Sequence, residues 1–380
     1  MTMRMVVFDP EIDAWMDNRI FDEGFASNWP GGLWPAQLSQ LASSKGILIE
    51  TIDHFENRKL DLSLPTYLIV MANRISPAAR KIIYSKRAAA GVCICLESPL
   101  VAYDFYHNLN KYSSWFLHVF TFAGAGNRVR AAGTKFHPIL WPYQNTGEVS
   151  LLNWSERNYL TLINSNRRAK QNIIPKFNIK HPRNSLKDLL NHFRVSSALK
   201  NDPWFGRELY LDRLEAVRHF YKNSGFDLYG RGWDKPIIGV KEEFNHAVRS
   251  AYRGEIHPHE KLSVLNRYKF AICFENSSFP GYITEKILDC FMAGCIPIYL
   301  GAPDIGNFIP ERAFIDFRRF ESYRKLEKYL MSIDEQQANN YLEAAKEFLN
   351  SPDFDPFKSK NFANDIMTAL EDCFIQNEDL

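Results

Sequence analysis

Short apolar runs bounded by turn-forming residues alternate along this chain with stretches whose apolar positions recur at helical spacing. Met3 to Phe8 reads as a first strand. After the turn-rich loop Asn28 to Gly32, the spacing from Leu33 to Ser44 predicts a helix closed by Gly46, and Ile47 to Ile52 returns as a strand. Thr66 to Met71, a helix from Pro77 to Ala90, and Val92 to Leu96 repeat the alternation; Tyr103 to Tyr112 reads as a short helix and Phe116 to Phe122 as a further strand. Strands alternating with helices predict a parallel α/β domain over residues 1–150. A polar, turn-prone passage from Gln144 to Glu156 then separates it from a second series over 151–350.

The second series opens with the strand Tyr159 to Ile163, which ends in Asn164-Ser165-Asn166. Residues 167–206 are basic and irregular, and read as an insertion or a loop over a ligand site. Glu208 to Arg213 opens a helix with Leu214, Val217 and Phe220 on its core side, and Phe226 to Gly230 is the following strand. The dense apolar run Phe270 to Phe274 predicts a buried strand that stops at Glu275-Asn276-Ser277-Ser278, followed by Pro280-Gly281. Thr284 stands at the N-cap of a helix with Ile287, Leu288, Phe291 and Met292 at apolar spacing; Gly294 ends it, and Ile296 to Leu300 is the next strand. This βαβ unit puts polar side chains at the carboxyl end of its first strand, where open α/β sheets bind ligands. The helix start favours an anion, Lys286 would add a charge, and Glu285 suits a ribose diol. The same residues also compose an ordinary surface helix start. Beyond residue 301 the pattern predicts a strand at Ala313 to Asp316, helices at Ser322 to Ser332 and Gln336 to Leu349, and a last helix at Phe362 to Phe374.

Composition narrows the class. A chain of 380 residues is long enough for two α/β domains, and 46 basic against 44 acidic residues give a net charge of only +2, which argues against general nucleic-acid binding. Five of the six cysteines lie in apolar runs and read as packed thiols with neither a zinc spacing nor a disulfide framework. The run near the N-terminus is too brief for a signal peptide or membrane anchor, which makes a cytoplasmic location the expectation. The C-terminal part mixes bases and aromatics and leaves room for peripheral membrane contact.

Phe274-Glu275-Asn276-Ser277, Tyr282-Ile283-Thr284-Glu285-Lys286 and Ala293 to Gly301 together closely resemble the donor-binding signature of the α1,3/α1,4-fucosyltransferase family, in a layout similar to its soluble bacterial members. The resemblance implies a GT-B architecture: two Rossmann-like domains facing across a cleft, with a C-terminal helix, 351–380, crossing back onto the first. It also implies GDP-fucose as donor, inversion at the anomeric carbon, and a glycan acceptor hydroxyl at position 3 or 4. Leu96-Glu97-Ser98-Pro99 matches the segment in which the family carries its catalytic carboxylate, so Glu97 is the implied base; a glutamate after a strand can equally cap a helix or face solvent. Arg213, with Arg207 as its rival, and Lys286 would contact the diphosphate. Asn276 and Tyr282 would bond phosphate or sugar, Glu285 the ribose, and Asn166 belongs to a Ser-Asn pair that the family has at this place. Tyr103, His107 and Trp115 form either an acceptor platform or core. No Asp-x-Asp is placed to bridge phosphates through a metal, so no cofactor is required; indirect stimulation by divalent ions stays open. A GT-B transferase using another sugar nucleotide, or a catalytically silent glycan-binding protein, are the other readings.

Overall fold

The computed structural model describes residues 4–378 apart from 11, 30, 58–65, 72, 74, 86–87, 145–148, 167–189, 191–192, 194–195, 198–200 and 224; most of the basic segment 167–206 thus lies outside the described residues. The chain divides into two compact units, residues 1–146 with 355–380, and residues 147–354.

The first unit is built on a six-stranded sheet of β1 (Arg4–Asp9), β2 (Ile47–Thr51), β3 (Thr66–Met71), β4 (Ala89–Ile94), β5 (His118–Phe122) and β6 (Lys135–Ile139). All its pairings are parallel, and the order is β2-β1-β3-β4-β5-β6. Both faces are covered, which is why β1 and β5 bury nearly every residue and read as unbroken apolar runs. Helix α1 (Leu33–Ser44) buries Trp34, Ala36, Leu38 and Ala42, and Gly46 follows it in the left-handed region at φ 70°. Helix α2 (Pro77–Ser85) is shorter than the spacing predicts, because Ala89 and Ala90 belong to β4. The predicted helix from Tyr103 to Tyr112 is two short ones, Tyr103–His107 and Leu109–Ser113, broken at Asn108. The chain's last helix, Ser359–Glu378, packs within this unit: Phe362 meets the Trp34 ring edge-on at 5.0 Å, and the Cys373 sulfur lies 3.3 Å from where a Cβ on Gly91 of β4 would stand.

A pair of imidazoles, His118 buried and His137 half-buried, ties that helix to the sheet edge. His118 Nδ1 lies 2.9 Å from His137 Nε2, and Asp372 Oδ2 lies 2.9 Å from His118 Nε2 and 2.6 Å from Lys135 Nζ. The His137 ring stacks on Phe120 at 4.2 Å. Burial, then His118 and Lys135, push the His137 pKa down to about 4, with Asp372 opposing them; burial also lowers that of His118. A folded value below the unfolded 6.5 means that unfolding takes up protons between the two, so stability present above pH 6.5 is lost as pH falls toward 4. Thermal midpoints are expected to drop across that window and to drop less in His137→Asn; parallel curves for the two proteins would reject this.

The second unit has its own parallel sheet of β7 (Asn158–Ile163), β9 (Phe226–Tyr229), β10 (Tyr252–Gly254), β11 (Tyr268–Phe274), β13 (Ile296–Leu300) and β14 (Ile315–Asp316), ordered β10-β9-β7-β11-β13-β14. The two-residue strands β8 (Arg207–Glu208) and β12 (Ser277–Ser278) pair antiparallel beside it. Helices α3 (Tyr210–Phe220), α4 (Glu242–Ala251), α5 (Glu285–Met292), α6 (Tyr323–Ser332) and α7 (Glu335–Leu349) cover the sheet. Leu160, Leu214, Val217, Phe220, Phe270, Ile272 and Ile298 share one buried cluster. In strand sequence this order is third, second, first, fourth, fifth, sixth, so the direction of winding reverses between β7 and β11. Their carboxyl ends frame the crevice in which such sheets bind ligands. No helix among the described residues is long and apolar enough to cross a membrane.

Candidate donor site

At the carboxyl end of β11 the chain is tied to two neighbours through its backbone. Glu275 N donates to Leu300 O of β13 at 2.8 Å, Leu209 N at the start of α3 donates to Asn276 O at 3.1 Å, and Ser277–Ser278 pairs with Arg207–Glu208. Between these anchors the Glu275 side chain turns inward and is 0% exposed. Its Oε1 accepts from Thr284 N at 2.8 Å, the Thr284 hydroxyl lies 2.9 and 2.8 Å from its two oxygens, and Lys286 Nζ donates to Oε2 at 2.8 Å. Gly301 makes room for it, since a Cβ there would stand 2.6 Å from Glu275 Cγ and 2.3 Å from Tyr299 Oη.

This corrects two expectations. Thr284 holds the N-cap position of α5, but its side chain makes no capping bond and is engaged with Glu275 instead. The anion at the start of α5 is a residue of the protein itself, so that helix start does not face a diphosphate unopposed. Lys286 donates to Glu275 and to Thr284 Oγ1, both at 2.8 Å, and lies 3.7 Å from Glu285. Burial works against its charge, while Glu275 and Glu285 outweigh burial and raise its pKa. Glu285 in turn faces Lys261 at 3.9 Å, which holds Asp289 at 2.6 Å. Burial opposes ionisation of Glu285, but Lys286 and Lys261 prevail and hold its pKa at about 2, leaving an ionised acceptor able to take hydroxyl hydrogens.

Arg213 is brought to the same loop and is itself buried. It lies on the stripe of Tyr210, Leu214 and Val217 that α3 turns to the core. Its Nε and Nη2 donate to Phe274 O at 3.2 and 2.7 Å, and Nη2 donates to Asn276 Oδ1 at 3.0 Å. Asn276 Nδ2 passes the chain on to Tyr282 Oη at 3.2 Å. The Tyr210 ring packs against the guanidinium at 5.1 Å. Arg213 therefore shapes the loop, with Nη1 alone unbonded among the described residues. Arg207 differs: its side chain is 61% exposed, it stands on the ladder flanking the loop, and a single Nη1 contact to Asp212 at 2.7 Å holds it. Of the two arginines, Arg207 has the freedom to meet a ligand.

Asn166 lies on the other side of the crevice, in the loop that follows β7, and is not joined to the Arg213 cluster. Its N–H donates to Arg231 O at 2.8 Å and its Nδ2 to Gly232 O at 2.9 Å, stapling the loop after β7 to the loop after β9. Gly230, at φ 128°, lets these loops touch, since a Cβ would stand 2.1 Å from Asn164 O.

In the first unit, Glu97 is half-buried three residues beyond β4, at the carboxyl edge of its sheet. Its carbonyl accepts from Tyr106 Oη at 2.9 Å, and that hydroxyl pairs with Thr121 Oγ1 of β5 at 2.6 Å. Tyr103 is buried and stacks on His107 at 5.1 Å, whereas Trp115 is only half-buried beside Tyr84 and Tyr112. Among the described residues one trio, Asp17, Asp53 and His54, is close enough to share a metal ion. It is accounted for by the left-handed turn at Asp17–Asn18, where Asp17 N donates to Asp53 Oδ2 at 3.0 Å and Asp17 Oδ1 meets His54 at 2.9 Å.

Two parallel, doubly wound α/β sheets, one with polar loops converging at its switch point, define a fold of the GT-B glycosyltransferase class. A crystal structure of an alpha1,3-fucosyltransferase shares it, with a TM-score of 0.51 at 16% identity over 97% of this chain and 90% of that one. Residues 203–350, which hold the whole stretch from Arg207 to Lys286, match the model of the glycosyltransferase family 10 (fucosyltransferase) C-terminal domain. Over 119 residues the chain is 29% identical to the alpha-(1,3)-fucosyltransferase FucT of Helicobacter pylori, covering 31% of this chain and 25% of that protein. Over 114 residues it is 32% identical to the human 4-galactosyl-N-acetylglucosaminide 3-alpha-L-fucosyltransferase 9, covering 29% of this chain and 32% of that protein. The matches thus span a quarter to a third of these relatives' length.

Proposed function

We propose that the chain is an inverting glycosyltransferase that moves L-fucose from GDP-fucose to the 3- or 4-hydroxyl of an N-acetylglucosamine- or glucose-containing glycan. The observation that carries this reading is the convergence of Arg207, Arg213, Asn276, Tyr282, Glu285 and Lys286 on one switch-point loop inside the family 10 domain. Arg207 and Lys286 are assigned to the diphosphate, Glu285 to the ribose hydroxyls, and Asn276 and Tyr282 to phosphate or sugar oxygens, with Arg213 holding their loop in shape. Glu97 is assigned as the base. It takes the proton of the acceptor hydroxyl as that oxygen bonds to the anomeric carbon, while the bond from that carbon to the phosphate oxygen breaks and GDP leaves with the electron pair. The cationic side chains meet the charge that develops on the leaving group, so no step calls on a metal.

A donor and acceptor screen tests this directly. GDP-fucose should be consumed in preference to GDP-mannose and UDP-sugars, with an α-linked product whose position is read by NMR. Glycan binding without any nucleotide-dependent transfer would overturn it. Lys286→Ala is expected to weaken GDP binding by roughly 10–100-fold, the range for a charge-assisted hydrogen bond to a buried group. Unchanged affinity by calorimetry would remove Lys286 from the diphosphate.

A further inference from the structure

We infer that Glu275 is a positioning residue for the nucleotide donor, occupying the anion position at the start of α5 and aiming the Lys286 ammonium from there. The inference rests on the reading of this loop as the GDP-sugar site. Three observations carry it. Glu275 is wholly buried, yet among the described residues every hydrogen bond found at its side chain comes from Thr284 or Lys286, the two residues that flank Glu285. Its backbone is bonded to β13, and the carbonyls on either side of it receive Arg213 and Leu209, so the carboxylate is the rigid point to which the start of α5 is referred. Gly301 leaves the space that the side chain fills, with no slack for a methyl group.

A lysine on a four-carbon stem is a poorly aimed charge unless something holds it. Here Glu275 and Thr284 take two of the three ammonium hydrogens, and the third, on a side chain 11% exposed, is left for a ligand. Glu275 acts through Lys286 and touches no donor atom itself. Two opposite outcomes follow from two roles. As a mere counter-charge, it would weaken anion binding, and its removal would strengthen GDP affinity. As a positioning residue, it makes the lysine effective, and its removal weakens that affinity.

Glu275→Gln keeps the shape and an acceptor for Thr284 but turns an NH2 group toward the ammonium. With the full chain and GDP as the calorimetric probe, affinity is expected to fall roughly 10–100-fold, the range for losing a hydrogen bond to a charged group. In a Lys286→Met background the same substitution should change affinity less than about threefold, because the residue through which it acts is gone. An undiminished effect in that background, unchanged affinity in Glu275→Gln alone, or a gain in affinity each overturns the inference. If Glu275→Gln does not fold, Thr284→Val replaces it: weaker GDP binding with Lys286 present and no further loss in Lys286→Met supports the inference, and equal losses in both overturn it. A wild-type chain without affinity for GDP overturns this inference together with the donor-site reading, whereas wild-type binding with Glu275→Gln unaffected overturns this inference alone.

Discussion

Glu97→Ala is expected to lower transferase turnover by roughly 10²–10⁴-fold, the contribution of a positioned general base, while GDP affinity stays at the wild-type value. The separation of the two readouts follows from where the residue sits. Glu97 belongs to the first unit, three residues past β4, and the side chains proposed to meet the nucleotide all belong to the second. On the proposed assignment, Glu97→Ala leaves the side chains of the leaving-group side intact. Loss of GDP affinity with turnover preserved would refute the assignment. Tyr106→Phe gives a milder version, since it removes the hydroxyl that holds the Glu97 carbonyl and pairs with Thr121 but leaves the carboxylate in place.

Arg213→Met should act in the opposite way, through the fold before the chemistry. The guanidinium satisfies Phe274 O and Asn276 Oδ1 inside the protein, and an apolar replacement leaves both acceptors without it. At about 1–3 kcal/mol for each stranded acceptor, the thermal midpoint should fall on the order of 10 °C. GDP affinity should fall with it as the loop loosens. Arg207→Ala makes the contrast: an exposed arginine holding one carboxylate has little effect on stability, so weakened GDP binding at an unchanged midpoint marks it as the ligand-contacting arginine of the two. If instead Arg213→Met melts as the wild type does and loses only GDP affinity, the roles are reversed.

Much of the frame was legible because parallel strands buried on both faces become dense apolar runs, as at Met5 to Phe8 and Phe270 to Phe274. The segment before Tyr268 carried no such run: β10 is three residues long and α4 precedes it directly, so the strand that completes the second sheet left no periodic trace. The loop from Asn276 to Lys286 was visible through its composition, but its arrangement was not. Glu275 looks like the first residue of a turn, and its role depends on the chain doubling back to bring Thr284 and Lys286 against it, a contact over nine and eleven residues that no local spacing encodes. A signal was present for Arg213. It falls on the apolar stripe of its helix, three residues after Tyr210 and four before Val217, and a charge at such a position is buried and bonded rather than free for a ligand.

If the loop is the proposed donor site, the ion network around α5 also sets how that site meets its ligand in time. Glu275, Glu285 and Asp289 are ion-paired with Lys261 and Lys286, and the buried Arg213 guanidinium interacts electrostatically with Glu275, so positive and negative side chains are equal in number. A balanced cluster of this kind casts little field beyond its own neighbourhood, and its pairs are too close and too enclosed for dissolved salt to screen. Capture of an anionic nucleotide therefore gains nothing from long-range attraction by this cluster. Its grip begins only at contact distance, and ionic strength alters it weakly.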